Sequence, residues 1–97
     1  MRIIFELSMI EEYVDRQSYG RGKDYYNRNM IHSTVQMGAL LKGRCKGSQG
    51  YSYYVQVLFD VKQSPATINS SDCSCPVGSH CKHIVALLIT YYNESRN

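Results

Sequence analysis

The stretch Asp72–Ile89, DCSCPVGSHCKHIVALLI, decides the fold. Within eleven residues it sets out Cys73, Cys75, Cys81 and His83, and it then runs into an apolar sequence with helical spacing. Three thiolates and one imidazole are one of the sets that close a tetrahedron around a structural zinc ion, leaving no position open. The chain is expected to turn between the two pairs. Pro76 fixes its own φ there, and Gly78 and Ser79 accept turn conformations. Ile84, Leu87, Leu88 and Tyr91 recur at i, i+3, i+4 and i+7, which predicts a helix beginning near the second pair, with Ser79 as its N-cap. A thiolate at a helix start is stabilised by the positive end of the backbone dipole. Asp72 and Lys82 are the expected outer groups of the site.

Cys73-Ser74-Cys75 followed by Cys81-Lys82-His83 resembles the SWIM zinc finger, whose signature is Cys-x-Cys, a variable gap and Cys-x-His. The form CSCP followed by CKH is most similar to bacterial members associated with SNF2-type ATPases. The resemblance extends upstream to Arg21-Gly22-Lys23-Asp24-Tyr25-Tyr26 and to the segment from Lys46-Gly47-Ser48 to Tyr53-x-Val55-x-Val57. It implies one Zn2+ per chain on a small ββα unit. It also implies adaptor work beside a larger motor or recombinase in place of catalysis. The family spacing selects His83 over His80 as the fourth ligand, and His80 is expected on the turn, facing solvent or the outer part of the site.

Ninety-seven residues suit one domain, residues 1–97, with a modest core. Zinc then matters to folding, since structural zinc contributes an apparent ~10–16 kcal/mol in finger peptides, on the scale of a whole domain's stability. The formal net charge is +3, but between Arg16 and Lys46 seven cations face one carboxylate, Asp24. Such asymmetry suits a polyanionic partner, and equally a solvated face. No run of 18 apolar residues exists to span a membrane. The start MRIIFELSMIEEY carries acids inside its apolar stretch, so neither a signal peptide nor a disulfide framework is expected, and the location is expected to be intracellular.

From the N-terminus, Ser8 and Glu11 form an S-x-x-E capping box for a helix from about Met9 to Gln17. Tyr19–Asn29 reads as a second short helix or turn punctuated by Gly20 and Gly22, with Tyr25 and Tyr26 packed and Arg21, Lys23 and Arg28 outside. From Met30 the period becomes two: Ile31–Met37, a tight connection at Gly38, then Ala39–Lys46. In that second run Ala39, Leu41, Gly43 and Cys45 share one face, and Lys42, Arg44 and Lys46 share the other. Cys45 is thereby assigned to the core and not to the metal. Tyr51–Val61 is the longest strand and Ala66–Ser71 a short one leading to Cys73. A polar tail, Asn93–Asn97, is expected to fray. The fold class is α+β: N-terminal helices, a small antiparallel sheet of about four strands, and a zinc knuckle leading into a C-terminal helix.

The sequence offers no phosphate loop and no second metal set for an open catalytic site, so an enzyme is not expected. The leading expectation is a zinc-stabilised module contacting DNA or a protein partner, with Lys42, Arg44 and Lys46, and secondarily Arg21, Lys23 and Arg28, as the nucleic-acid contacts. A SNF2-type ATPase or a recombinase is the implied companion. The rivals are a thiol redox sensor using Cys73, Cys75 and Cys81, and a purely protein-binding adaptor.

Overall fold

The computed structural model describes residues 2–47 and 49–94. Two helices, α1 (Leu7–Tyr13) and α2 (Arg16–Asn27), precede four strands: β1 (Ile31–Met37), β2 (Leu40–Lys46), β3 (Ser52–Asp60) and β4 (Thr67–Cys73). A third helix, α3 (Lys82–Glu94), closes the described chain. The strands form one antiparallel meander in the order β1-β2-β3-β4. The fold class is therefore α+β, as the patterning indicated.

Alternation builds the sheet's inner face. Leu41, Cys45, Val55, Val57, Phe59 and Cys73 are buried on the side that meets α3. That helix is buried from His83 through Ile89 on every side. A helix apolar all round belongs at the centre of a fold, and α3 packs on all four strands while α2 lies along its other flank. Two glycines set these distances. A Cβ on Gly43 of β2 would stand 2.4 Å from Leu87 Cδ1, and one on Gly22 of α2 would stand 2.3 Å from Val85 Cβ.

The N-terminal helices depart from the sequence expectation. The run from Met9 to Gln17 is not one helix: α1 ends at Tyr13, and Asp15 starts α2 by accepting a 2.7 Å hydrogen bond from Ser18 N–H. That bond holds the Asp15 carboxyl below its ordinary range. The Ser8–Glu11 box does not form either, because the N-cap of α1 is Glu6, with no side-chain cap bond. Gly20 and Gly22 do not interrupt α2, since Gly22 is the point where Val85 of α3 comes close. The helix ends instead at Asn27, two residues before Asn29, which takes φ 57°. Met30 N–H bonds to Tyr25 C=O and Asn29 N–H to Tyr26 C=O, the paired bonds of a Schellman motif.

The loop after β1 turns at Gly38 with φ 62°, as expected. At the other end α3 continues through Asn93 and Glu94, and the rest of the expected tail, 95–97, lies outside the described residues, as does Ser48.

Candidate metal centre

Cys73 is the last residue of β4 and Cys75 lies just beyond it. Ser74 between them is pinned to β3 twice: its N–H bonds to Tyr54 C=O at 3.0 Å, and its Oγ accepts from Tyr54 N–H at 2.9 Å. The chain then reverses through a turn in which Gly78 N–H bonds to Cys75 C=O at 3.1 Å, with Pro76 at the second position and Gly78 at the fourth, both favoured in a type I turn. His80 takes φ 62°, its ring stacks on Tyr13 at 4.2 Å and its Nδ1 meets Ser79 Oγ at 2.8 Å. These contacts hold His80 on the outside of the turn, where it is exposed.

Cys81 caps α3. The helix begins at Lys82, so Ser79 lies too far back to serve, and the Cys81 sulfur accepts from the backbone N–H groups of His83 and Ile84. Cysteine takes the place that serine or aspartate usually fills. Helix start and ligand are one residue.

The ligand atoms of Cys73, Cys75, Cys81 and His83 all lie within 4.8 Å of one another, and all four residues are buried. His83 Nδ1 faces the cluster, 3.6 Å from Cys73 Sγ and 3.6 Å from Cys81 Sγ. Zinc bonds of about 2.3 Å to sulfur and about 2.0 Å to nitrogen place tetrahedral S···N edges at about 3.5 Å, so the donor set fits the ion. Without metal, the Cys81 thiol is lowered, chiefly by the bond from Cys73, and Cys73 is raised, chiefly by that same bond. Of the two sulfurs, the one at the helix start is thus the more readily ionised. Zinc supplies the positive charge that lets all three sulfurs ionise together.

Sequence reading missed the aromatic walls of the site. Tyr53 stacks on the His83 ring at 4.6 Å and 29°, and Tyr25 meets it edge-on at 5.4 Å and 70°. Lys82 Nζ lies 5.0 Å from the Tyr25 ring centroid, so it does belong to the surroundings of the site. Asp72 does not: it is exposed one residue before Cys73, and successive strand residues point to opposite faces. Alternation from Val55 and Val57 was the available signal for Tyr53, since it puts Tyr53 on the inner face and Tyr54 on the outer. Cys45 is fully buried and stands outside the ligand cluster.

The cationic residues form two groups. Lys42, Arg44 and Lys46 are exposed along β2 on the face of the sheet opposite α3. Arg21, Lys23 and Arg28 lie on or beside α2, beyond α3, so they do not share that face. Arg28 pairs with Asp24 at 3.0 Å and also lies over the Tyr25 ring, and Lys23 lies over Tyr19.

A closed four-ligand centre joining a strand end to a helix start defines a small structural zinc-knuckle domain. Residues 53–92 match the family model of the SWIM zinc finger, and the Cys73, Cys75, Cys81 and His83 cluster within them is consistent with one zinc ion. The match takes in β3, β4, the knuckle and most of α3, and the Arg21–Tyr26 stretch lies outside it. No curated protein and no solved structure matches the chain.

Proposed function

We propose that the protein is a zinc-stabilised DNA-binding module whose contact surface is the open face of its sheet, used for binding and not for catalysis. One observation carries the reading: Lys42, Arg44 and Lys46 stand in a row on β2, exposed, with no carboxylate paired to them among the described residues. Alternate residues of a strand are about 6.6–6.8 Å apart, close to two 3.4 Å steps along one nucleic-acid strand. The zinc knuckle supports this surface from behind by anchoring Ser74 and β4 to β3. A module of this kind acts inside the cell as an accessory to a larger machine, and a SNF2-type ATPase or a recombination factor is the companion that the SWIM resemblance suggests. No helix among the described residues is long and apolar enough to cross a membrane.

The test is an anisotropy titration of zinc-loaded protein with labelled DNA at several salt concentrations. Neutralising Lys42, Arg44 and Lys46 to Gln should reduce the slope of log K against log salt by up to about 2.7 for duplex or about 2.1 for a single strand. An unchanged slope and affinity would remove DNA from the reading.

A protein partner is the second reading, favoured by Val35 and Met37, which are 53% and 58% exposed beside the basic row. The redox reading has less support. Cys73, Cys75 and Cys81 are all buried, whereas redox-sensing cysteines are solvent-accessible.

A further inference from the structure

The open sheet face carries an aromatic group that phosphate contacts leave unexplained. Tyr54 is 67% exposed on β3, directly opposite Arg44 in the ladder and two residue pairs from Lys42 opposite Gln56. Tyr13, Tyr19, Tyr25, Tyr53 and Tyr91 each pack against a ring or carry a cation on the ring face, and among the described residues Tyr54 does neither. Its backbone is nevertheless fixed by both bonds to Ser74, so the ring is presented from a rigid strand.

Two shallow grooves meet at Tyr54, and they differ in chemistry. One is lined by Ser33, Val35, Lys42, Arg44 and Tyr54. The other is lined by Lys42, Tyr54, Gln56, Asp72 and Ser74. A phosphate is drawn to the first, which holds two cations, and kept from the second by the Asp72 carboxylate. The second offers a ring face beside amide, hydroxyl and carboxylate groups, the groups that meet a base and its exocyclic amines.

We infer that the open sheet face binds single-stranded DNA, with the phosphates along Lys42 and Arg44 and an unpaired base stacked on Tyr54. The inference rests on the DNA-binding reading above and adds the form of the ligand. A duplex keeps its base faces inside its own stack, so it can use the basic row but not the ring. A single strand satisfies both at once. The choice of deoxyribose comes with the DNA reading: Val35, opposite Lys42, suits an apolar C2′ methylene, whereas Ser33, opposite Arg44, is the β1 group in the groove with a hydroxyl to offer a ribose.

The test uses the full chain with zinc bound and labelled 12-mers of one mixed sequence as single-stranded DNA, duplex DNA and single-stranded RNA. Single-stranded DNA should bind most tightly. Tyr54→Ala should weaken it by about tenfold or more, lowering the ratio of single-strand to duplex affinity, while Tyr54→Phe keeps that ratio. The chain has no tryptophan, so Tyr54→Trp supplies a sole reporter whose emission should be quenched by the single strand and not by the duplex. Unchanged zinc content and melting in Tyr54→Ala show that the fold is intact. Equal affinity for duplex, or no effect of Tyr54→Ala while the neutralised row still loses binding, would overturn the stacking inference and leave the DNA reading standing. Tighter binding of RNA would overturn the assignment to DNA. If the neutralised row binds as well as the native protein, the DNA reading itself fails.

Discussion

The ring of His83 lies against the ring of Tyr53, centroids 4.6 Å apart, and its Nε2 is buried with no hydrogen-bond partner among the described residues. Metal-bound histidines commonly donate the second ring nitrogen to a carboxylate or carbonyl that fixes their orientation. Here two tyrosine rings do that work by packing, and the Nδ1 lone pair stays aimed at the sulfurs.

Tyr53→Ala should therefore weaken zinc binding by roughly 10–100-fold although all four ligands remain, as loss of an orienting neighbour does elsewhere. Tyr53→Phe should bind as the native protein does. Competition against a chromophoric chelator measures both, and equal affinity in the alanine variant would show that the ring needs no wall.

Removing zinc should cost much of the stability of the C-terminal half, since about 10–16 kcal/mol of apparent binding energy is of the order of the whole fold's net stability. Acid acts in the same direction. Cys81 is lowered in the fold, so its contribution is complete above its ordinary value of 9.0 and is lost as pH falls through the lowered one. Protons also compete with the metal for the sulfurs. Zinc release and unfolding should thus coincide on acidification, followed by metal analysis and circular dichroism. Cys81→Ser and Cys81→Ala should both lose metal affinity, with more helix kept by serine, which still caps.

Cys45→Ala should leave one zinc per chain and cost about 1 kcal/mol. In the native protein burial pushes the Cys45 thiol up to about 12. The neutral form is the one the fold favours, so this contribution is complete below the ordinary value of 9.0 and declines as pH rises toward 12. Thiol reagents at pH 8 should leave Cys45 unmodified until the protein unfolds, as mass spectrometry would record.

Gly22→Ala sets two effects against each other. Alanine is the better helix former by about 1 kcal/mol, but its methyl would overlap Val85 Cβ and approach Lys82 C=O at 2.9 Å. Overpacking costs about 1–3 kcal/mol, so the variant should melt lower than the native protein. Pairing it with Val85→Ala should recover part of the loss. A higher melting temperature for the single variant would mean that the two helices can separate without cost.

The metal set and α3 were legible because coordination chemistry and helical periodicity are written in local spacing, and the strands because alternation is local too. What failed depended on partners distant in sequence. Gly22 reads as a helix breaker until Val85 is seen against it. Ser8-x-x-Glu11 reads as a cap until Glu6 proves to be the start. Asp15 was legible in principle, with Ser18 three residues on, but a continuous apolar stripe through Val14 concealed the break. Ser79 looked like a cap because serine usually is one, and the sulfur of Cys81 displaced it. Tyr54 lies on the polar side of an alternating strand, where a reading that seeks the core does not look, while Ile31, Ser33, Val35 and Met37 read as one face of β1 until the register shift after Ile31 turns Val35 and Met37 to the open side.

Because Cys81 both begins α3 and sits in the metal cluster, the helix is clamped at that end like a rod in a vice. Its far end is clamped as well: the Tyr91 hydroxyl accepts from Ile3 N–H at 3.0 Å and donates to Gln36 Oε1 at 2.7 Å. One stiff lever thus runs from the knuckle to the first segment of the chain, which Tyr91 meets at a residue 88 positions away in sequence. Loosening the vice frees the lever, and slack at the metal arrives at the Ile3 amide as exchange with solvent.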